Sequence, residues 1–172
     1  MTRAEDSSFM ELWHLYQDSF PVEEQRPFLR QQEAMLREET FHCLRLEDEK
    51  GLAGLMFYWQ FPACLYLEHF AIATARRGQG LGHAALSLLH EKGEPVILEI
   101  EPVTDALTRR RLSFYESLGY VRLPWEHAQL PFRRGGSPVP MELLSYPAAM
   151  TEAQVRSFQA RLASVVMHYR DA

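Results

Sequence analysis

The amino-acid sequence predicts a single α/β domain over residues 1–172, with a central mixed sheet covered by helices on both faces. Three observations support this fold class. The chain has 172 residues, enough for one domain with a sizeable core. Hydrophobic residues make up 47% of it and charged residues 24%, which is typical of globular proteins. The apolar pattern alternates between helical and strand periods in the order αα-ββ-β-α-β-α-β-β-α.

Two helices and three strands are expected in the first part of the chain. The first helix carries apolar residues at helical spacing and ends at Pro21: Phe9, Leu12, Trp13, Tyr16 and Phe20. The second helix is expected from about Pro27 to Glu38, since proline is tolerated in a first helical turn. Three apolar strands follow, at residues 41–48, 51–61 and 64–73.

The second part of the chain alternates between helices and strands. A helix follows residue 80 and is stopped by Lys92, Gly93 and Pro95. The next three elements are a strand at 95–102, a helix at 107–120 and a strand at 138–146. Thr151 and Gln154 form a capping box that opens the last helix. The intervening segment 131–136 is expected to be a mobile loop.

Charge, hydropathy and cysteine content argue against several functional classes. The net charge of −5 argues against a general nucleic-acid-binding protein. No apolar stretch approaches the roughly 18 residues of a membrane span, and the N-terminal segment lacks a leader pattern. We therefore expect a cytoplasmic protein without a membrane partner. Cys43 and Cys64 lack metal-ligand spacing, so we expect reduced, buried thiols and no metal site.

A glycine-rich segment at the start of the third helix is the strongest functional signal. A helix N-terminus presents unpaired N–H groups and the positive end of the helix dipole, which together bind phosphate. Gly78, Gly80 and Gly82 leave the backbone accessible, and Arg76 and Arg77 add positive charge. Glycine inside a helix costs about 1 kcal/mol relative to alanine, so a reason for its presence is needed. Phosphate binding is one such reason, and close packing of the helix against a strand is the alternative.

Two familiar phosphate-binding motifs fit this segment poorly. The P-loop requires Gly-Lys-Ser/Thr, which the chain lacks. Residues 80–85 match the Rossmann pattern G-x-G-x-x-A, and Glu99 follows about 20 residues later, where that fold places a ribose-binding acid. That pattern normally opens its domain, whereas here two helices and a hairpin come first. A Rossmann-type NAD(P)-binding protein is therefore only an alternative.

Residues 65–120 resemble the GNAT superfamily of acyl-CoA-dependent N-acetyltransferases. Four motifs occur in the family's order: a strand (65–72), the loop "RGQGLG" (77–82), the strand "VILEIE" (96–101) and the helix end "FYESLGY" (114–120). Thr108 and Arg111 stand where the family often has asparagine and alanine. Segments near the C-terminus also resemble a bacterial group within the superfamily whose acceptor is not assigned.

The resemblance implies that acetyl passes from acetyl-CoA to a primary amine by direct transfer in a ternary complex. It also implies which residues contact acetyl-CoA: the backbone of Phe70, Ala71 and Ile72, and the loop residues Arg77, Gly78, Gln79, Gly80, Leu81, Gly82 and His83. The acceptor is not identified, although the acidic balance favours a cationic one. A non-catalytic acyl-CoA-binding module is the alternative, and homodimerisation through an edge strand or the last helix stays open.

Candidate catalytic residues lie on the central strands and the fourth helix. By resemblance, Tyr115 takes the position of the general acid. Glu68 is the first choice for general base and Glu99 the second, because burial raises the pKa of a carboxyl towards a useful value. Strand alternation places Glu68 on one face with Tyr66, Phe70 and Ile72, and places His69 on the other face as a core histidine.

Overall fold

The helices and strands follow the chain order expected from the sequence, except that three strands instead of two lie between the fourth and the last helix. The computed structural model describes residues 7–171. Its helices are α1 (Ser7–Ser19), α2 (Phe28–Arg37), α3 (Leu81–His90), α4 (Ala106–Ser117) and α5 (Glu152–Ser164). Its strands are β1 (Phe41–Asp48), β2 (Gly51–Phe61), β3 (Cys64–Ile72), β4 (Val96–Ile100), β5 (Val121–Arg122), β6 (His127–Gln129) and β7 (Val139–Tyr146). The predicted α/β fold class is confirmed.

The strands form one mixed sheet in the order β1-β2-β3-β4-β7-β5, with β6 paired to the first part of β7. Strands β1 to β3 form an antiparallel meander, and β4 pairs antiparallel with β7. Strand β3 runs parallel to β4 over Leu65–Leu67 and Val96–Leu98 alone, so the two strands separate beyond these residues. The meander excludes the Rossmann alternative, whose sheet is mostly parallel.

Helices cover both faces of the sheet and enclose a hydrophobic core on each side. Helices α1, α2 and α5 bury one core, which includes Trp13, Phe57, Trp59, Tyr66 and Phe158. Helices α3 and α4 bury the other, which includes Tyr58, Leu67, Leu86, Leu112 and Tyr115. Successive residues of β3 alternate between the two cores up to Leu67, as the two-residue period of a strand requires. The expected two-sided cover of the sheet is thereby confirmed.

The predicted capping box at the start of α5 is present. The Thr151 hydroxyl accepts a hydrogen bond from the Gln154 backbone N–H at 3.3 Å, and the Gln154 side chain accepts one from the Thr151 N–H at 2.9 Å. We expect Thr151→Ala to lower the free energy of unfolding by about 1 kcal/mol, because one N–H of the first turn loses its partner. For a chain of this size the melting temperature then falls by about 2–4 °C. Thr151→Ser is the control and should melt with the native protein; equal melting of the alanine variant would contradict the cap.

The segment between α4 and β7 differs from expectation. It contains the short strands β5 and β6, too short to show a strand period, and the loop that follows them is anchored. Phe132 is buried, and its carbonyl accepts a hydrogen bond from the Asp171 N–H at 2.9 Å. Arg133 Nε donates to the Val22 carbonyl at 3.0 Å. These contacts argue against the mobile loop expected at 131–136.

Several other expectations concern the chain as a whole. Cys43 and Cys64 are free thiols, as expected, although Cys43 is only half-buried. Within residues 7–171, no helix is long and apolar enough to cross a membrane. No group of three His, Cys, Asp or Glu residues suited to a metal ion occurs in that same range. A single domain over 1–172 stays a prediction, and its residues 1–6 and 172 lie outside the described part of the chain.

Candidate functional site

A β-bulge in β3 lies where β3 and β4 separate. In the pairing with β2, Leu67 faces Tyr58 and His69 faces Phe57, so Glu68 is an extra residue. Glu68 and His69 consequently project to the same face, towards the segment joining α1 and α2 and towards α1 itself. The expectation that they point to opposite faces is wrong, because strand alternation cannot anticipate an inserted residue.

The bulge also moves the rest of β3. Phe70 packs against the core beneath α3 and α4. Ile72 lies on that side too, since a Cβ on Gly82 of α3 would be 3.8 Å from its side chain. The expected grouping of Phe70 and Ile72 with Glu68 is therefore wrong, whereas the grouping of Tyr66 with Glu68 holds.

Glu68 forms a buried ion pair with Arg26. Both side chains are 0% exposed, and Arg26 Nη2 and Nη1 lie 2.6 and 3.2 Å from the two carboxylate oxygens. Burial opposes ionisation of Glu68, but the charge of Arg26, the nearby His69 and the hydrogen bonds lower the pKa to about 2. The expected raising of this pKa is wrong. The carboxylate is ionised at neutral pH and already has its partner.

Arg26 was missed by the sequence reasoning. Its guanidinium lies over three aromatic rings, at 4.7 Å from Phe132, 5.2 Å from Phe41 and 5.6 Å from Trp59. It also donates to the Gln31 side chain at 2.8 Å. A lone arginine before a proline carries no local signal of burial, so only its partners identify it.

His69 is a buried core histidine, as expected. It lies on the same face of the sheet as Glu68, however, and not on the opposite face. Its Nε2 lies 3.1 Å from the Glu24 carbonyl oxygen and 3.4 Å from the Tyr16 hydroxyl. A carbonyl only accepts hydrogen bonds, so Nε2 carries the proton. The Tyr16 hydroxyl in turn accepts from the Arg26 N–H at 2.8 Å. These bonds tie the segment between α1 and α2 to the bulge.

Glu99, the first β4 residue beyond the parallel pairing, lies in a second buried polar cluster. Its carboxylate accepts a hydrogen bond from the Tyr66 hydroxyl at 2.7 Å and contacts His127 Nε2. The side chains of Glu99 and His127 are 5% and 3% exposed. His127 was missed because the short strand β6 that carries it has no sequence signal.

The hydrogen bonds determine which nitrogen of His127 carries the proton. Gln159 Nε2 lies 3.1 Å from the Glu126 carbonyl oxygen, which only accepts, so this atom is the amide nitrogen. The same nitrogen lies 3.2 Å from His127 Nδ1, which must therefore accept. Nε2 of His127 then carries the proton and donates it to Glu99.

Two further acidic side chains lie near the separated strands. Glu24 is half-buried, and its pKa is raised, first by burial and then by the negative charge of Glu101. Glu101 pairs with Arg111 of α4. Glu24 was also missed by the sequence reasoning, because a glutamate in a turn looks like a solvated residue. Glu24, Glu99 and Glu101 thus place three carboxyl groups near the separated strands, and that of Glu101 is paired with an arginine.

Tyr115 lies on the opposite face of the sheet from Glu68 and Glu99. Its ring is buried and packs edge-on against Tyr120 at 5.4 Å. Burial raises its pKa to about 12, partly offset by the charge of Arg111. Among residues 7–171 its hydroxyl has no hydrogen-bond partner, so a neutral phenol can donate to a bound molecule. Thr108, by contrast, is occupied in a capping box with Asp105 at the start of α4.

The glycine segment serves two different purposes. Gly78 and Gly80 have φ of 74° and 76°, which L side chains rarely adopt, and an added Cβ at either would meet nothing within 4 Å. These two are required by the loop conformation. A Cβ on Gly82 would lie 3.2 Å from the Phe114 ring, so Gly82 allows α3 to pack closely on α4. Close packing thus explains Gly82 alone, and the tight contact there is with the helix α4 and not with a strand as expected.

The loop brings unpaired backbone groups to the end of β3. Gly80 is the N-cap of α3 and provides no side-chain cap, so the first N–H groups of the helix stay available. Arg77 Nε donates to the Ile72 carbonyl at 3.1 Å, whereas Arg76 is engaged with Asp48. Gln79 and His83 are exposed beside these groups. The predicted cofactor residues, from Phe70 to His83, therefore lie together in this region.

Comparisons with known proteins agree with this architecture. The acetyltransferase (GNAT) family profile matches residues 9–120. YjbC of Bacillus subtilis (strain 168), which carries an acetyltransferase assignment, is 31% identical over 120 residues. The match covers 67% of this chain and 57% of YjbC, so the chain spans little more than half of that relative.

Solved structures share the fold over most of the chain. A GNAT-family protein from Bacteroides thetaiotaomicron is 28% identical with a TM-score of 0.90, covering 97% of this chain and 96% of its own. An aminoglycoside 6'-N-acetyltransferase complexed with coenzyme A is 16% identical with a TM-score of 0.63, covering 84% and 93%, and shows a common fold. The profile match, the sequence relative and the shared fold lead to one conclusion: the chain belongs to the acetyltransferase (GNAT) family.

Proposed function

We propose that the protein transfers an acetyl group from acetyl-CoA to a primary amine by direct transfer in a ternary complex. One observation carries the proposal: β3 and β4 separate beside the α3 N-terminus, with an unbonded phenol on one face and acidic groups on the other. Membership of the acetyltransferase family and coenzyme A in the aminoglycoside enzyme support the choice of donor. A cytoplasmic location, the absence of nucleic-acid partners and a homodimer stay predictions.

The residues present fit acetyl-CoA. The N–H groups at the start of α3 are unpaired and suit phosphate oxygens, and Gly78 and Gly80 give the loop its open conformation. Beyond Leu67, the β4-facing edge of β3 has no strand partner, so the backbone of Phe70–Ile72 can bind the amide groups of the pantetheine arm. Bound acetyl-CoA supplies an acetyl group activated as a thioester.

Tyr115 is proposed as the general acid. Its phenol stays protonated at neutral pH, because its pKa is raised to about 12, and its hydroxyl is free to donate. Glu68 is reassigned from base to anchor, since it is sealed in the ion pair with Arg26. Glu24, Glu99 and Glu101 attract a positively charged amine to the opposite face of the sheet.

Acetyl-CoA binding is the first test. At 100 times its dissociation constant, acetyl-CoA should stabilise the native protein by about 2.7 kcal/mol. That free energy raises the melting temperature by roughly 5–11 °C for a chain of this size. The measurement is thermal unfolding with acetyl-CoA, coenzyme A, NADH or no ligand. Stabilisation by NADH alone would contradict the proposal.

A matched pair of glycine variants locates the binding loop. Gly80 and Gly93 stand at the two ends of α3 with φ of 76° and 77°, and an added Cβ meets nothing within 4 Å at either. Gly80→Val and Gly93→Val therefore carry similar backbone strain. We expect only Gly80→Val to lose the stabilisation by acetyl-CoA, and equal loss in both variants would place the ligand elsewhere.

Turnover separates the enzyme from the non-catalytic alternative. Release of coenzyme A thiol, measured with a panel of primary amines and confirmed by mass spectrometry of the acetylated amine, is expected for an acetyltransferase. Stabilisation by acetyl-CoA without amine-dependent thiol release would favour an acyl-CoA-binding module.

A further inference from the structure

A groove of about 660 Å³ lies between the β6–β7 hairpin and α5. Leu130, Met141 and Leu162 contribute to its apolar walls, and its polar groups come from Glu126, His127 and Gln159. It opens on the face of the sheet covered by α5, the face towards which Glu99 projects. Pockets with mostly apolar walls and a few converging polar groups are typical of small-molecule sites.

His127 connects this groove to the separated strands. His127 is a lining residue of the groove, and its Nε2–H donates to Glu99, the first residue of β4 past the last pair with β3. A chain of hydrogen bonds thus runs from the groove through His127 and Glu99 to Tyr66 of β3. The groove is therefore linked by hydrogen bonds to β4 at the point where that strand leaves β3.

Nδ1, the other ring nitrogen of His127, can accept a hydrogen bond from an N–H group. Nδ1 is an acceptor, and its present partner is the amide of Gln159, itself a groove residue. An ammonium N–H can replace that amide N–H as donor, and the Gln159 carbonyl oxygen can accept another ammonium proton. Glu99 on the far side of the ring stabilises the imidazolium that forms when Nδ1 takes a proton.

We propose, building on the proposed function, that this groove binds the acceptor as an ammonium carried on an apolar body, and that His127 Nδ1 accepts its proton. Glu99 acts as a positioning residue, because it fixes the tautomer of His127. The apolar walls favour an alkyl or aryl amine over a polyhydroxylated one.

The proposed reaction balances as follows for an acceptor R–NH3+. The ammonium gives one proton to His127 Nδ1, and the nitrogen lone pair forms the C–N bond to the acetyl carbon. The C–S bond breaks, and the sulfur takes the phenolic proton of Tyr115. The nitrogen loses its second proton on becoming the amide, and this proton restores the phenol. The imidazolium then releases the first proton to solvent, so that R–NHCOCH3, coenzyme A and one proton are formed.

The charged and titratable groups around His127 come from several elements. Glu99 faces it from β4, Tyr66 lies behind Glu99 on β3, and Glu126 precedes it in the chain. From α5 the neutral Gln159 contacts it. Met141 of β7 pairs with it in the strand register.

Loss of the imidazole tests the role of His127. His127→Gln should lower kcat for hexylamine by about 100-fold or more, while stabilisation by acetyl-CoA is unchanged. A kcat within a few-fold of native in His127→Gln would overturn the role.

Acceptor selectivity tests the groove. Among linear amines from butylamine to octylamine, kcat/KM should rise by up to roughly fourfold per added methylene, and glucosamine should be poor. Ala128→Trp fills the groove and should raise KM for hexylamine at least tenfold, whereas Ala163→Trp, at an exposed position of α5, should not. A preference for glucosamine, or equal KM values in both variants, would overturn the groove as acceptor site.

Direct binding separates failure of this inference from failure of the proposed function. Isothermal titration of octylamine should show binding to the native protein and to Ala163→Trp but not to Ala128→Trp. That result without acetyl transfer would leave the amine site standing and overturn the enzymatic proposal. Acetyl transfer with no loss of octylamine binding in Ala128→Trp would overturn the amine site alone.

Discussion

Replacing Arg26 by methionine is expected to lower the free energy of unfolding by about 3–5 kcal/mol, because Glu68 is left charged and unpaired in the interior. Both side chains are 0% exposed, so water cannot take the place of the guanidinium. The melting temperature should fall by roughly 6–20 °C for a chain of this size. Urea unfolding followed by circular dichroism measures the free energy directly.

The double variant distinguishes the ion pair from simple loss of packing. Glu68→Leu alone should also destabilise the protein, because it leaves Arg26 without its carboxylate. Arg26→Met combined with Glu68→Leu should recover most of the loss, since apolar residues can replace a buried ion pair with little net cost. Strictly additive losses in the double variant would contradict the coupling.

The pair also makes stability depend on pH. The pKa of Glu68 is about 2 in the folded protein, against an ordinary value of 4.5. The stabilisation that the ionised carboxylate provides is therefore fully present above pH 4.5. As the pH falls from 4.5 through 2, protonation of the folded state removes that contribution. The native protein should therefore lose more stability over this interval than the double variant does. Equal losses in the two proteins would show that Glu68 is not the group responsible.

Replacing Tyr115 by phenylalanine is expected to lower kcat by about 100-fold to 10,000-fold, the range usual for loss of a positioned proton donor. The ring stays in place, so acetyl-CoA binding should be unchanged. The pKa of about 12 keeps the phenol protonated throughout an assay at pH 6–9. Tyr115 should therefore contribute no basic limb to the native rate profile. Steady-state kinetics with an accepted amine, together with calorimetric acetyl-CoA binding, provide the measurement.

Tyr120 provides the matched control for Tyr115. Its ring lies 5.4 Å away in the same core, and its hydroxyl bonds His90 at 3.0 Å, away from the catalytic role proposed for Tyr115. Tyr120→Phe should cost some stability and leave kcat within a few-fold of native. Similar kcat values for Tyr115→Phe and Tyr120→Phe would show that the Tyr115 hydroxyl serves packing alone.

Local patterns determined most of the fold. Strands β1 and β2 occupy the predicted 41–48 and 51–61, because alternating apolar residues bounded by a turn depend only on near neighbours. The Thr151 cap is a local property as well, and it appears where expected. The resemblance in residues 65–120 rests on motifs of this local kind.

The tertiary structure decided the chemistry of the site. The bulge at Glu68 reverses the alternation of β3, and nothing in the strand's own sequence marks the extra residue. Arg26 lies 42 residues from Glu68, and His127 lies 28 residues from Glu99. The pKa and hydrogen-bonding capacity of a buried carboxylate depend on such distant partners. The sequence alone could therefore place Glu68 and Glu99 on the central strands, but only the fold shows that the first is an anchor and the second faces a histidine.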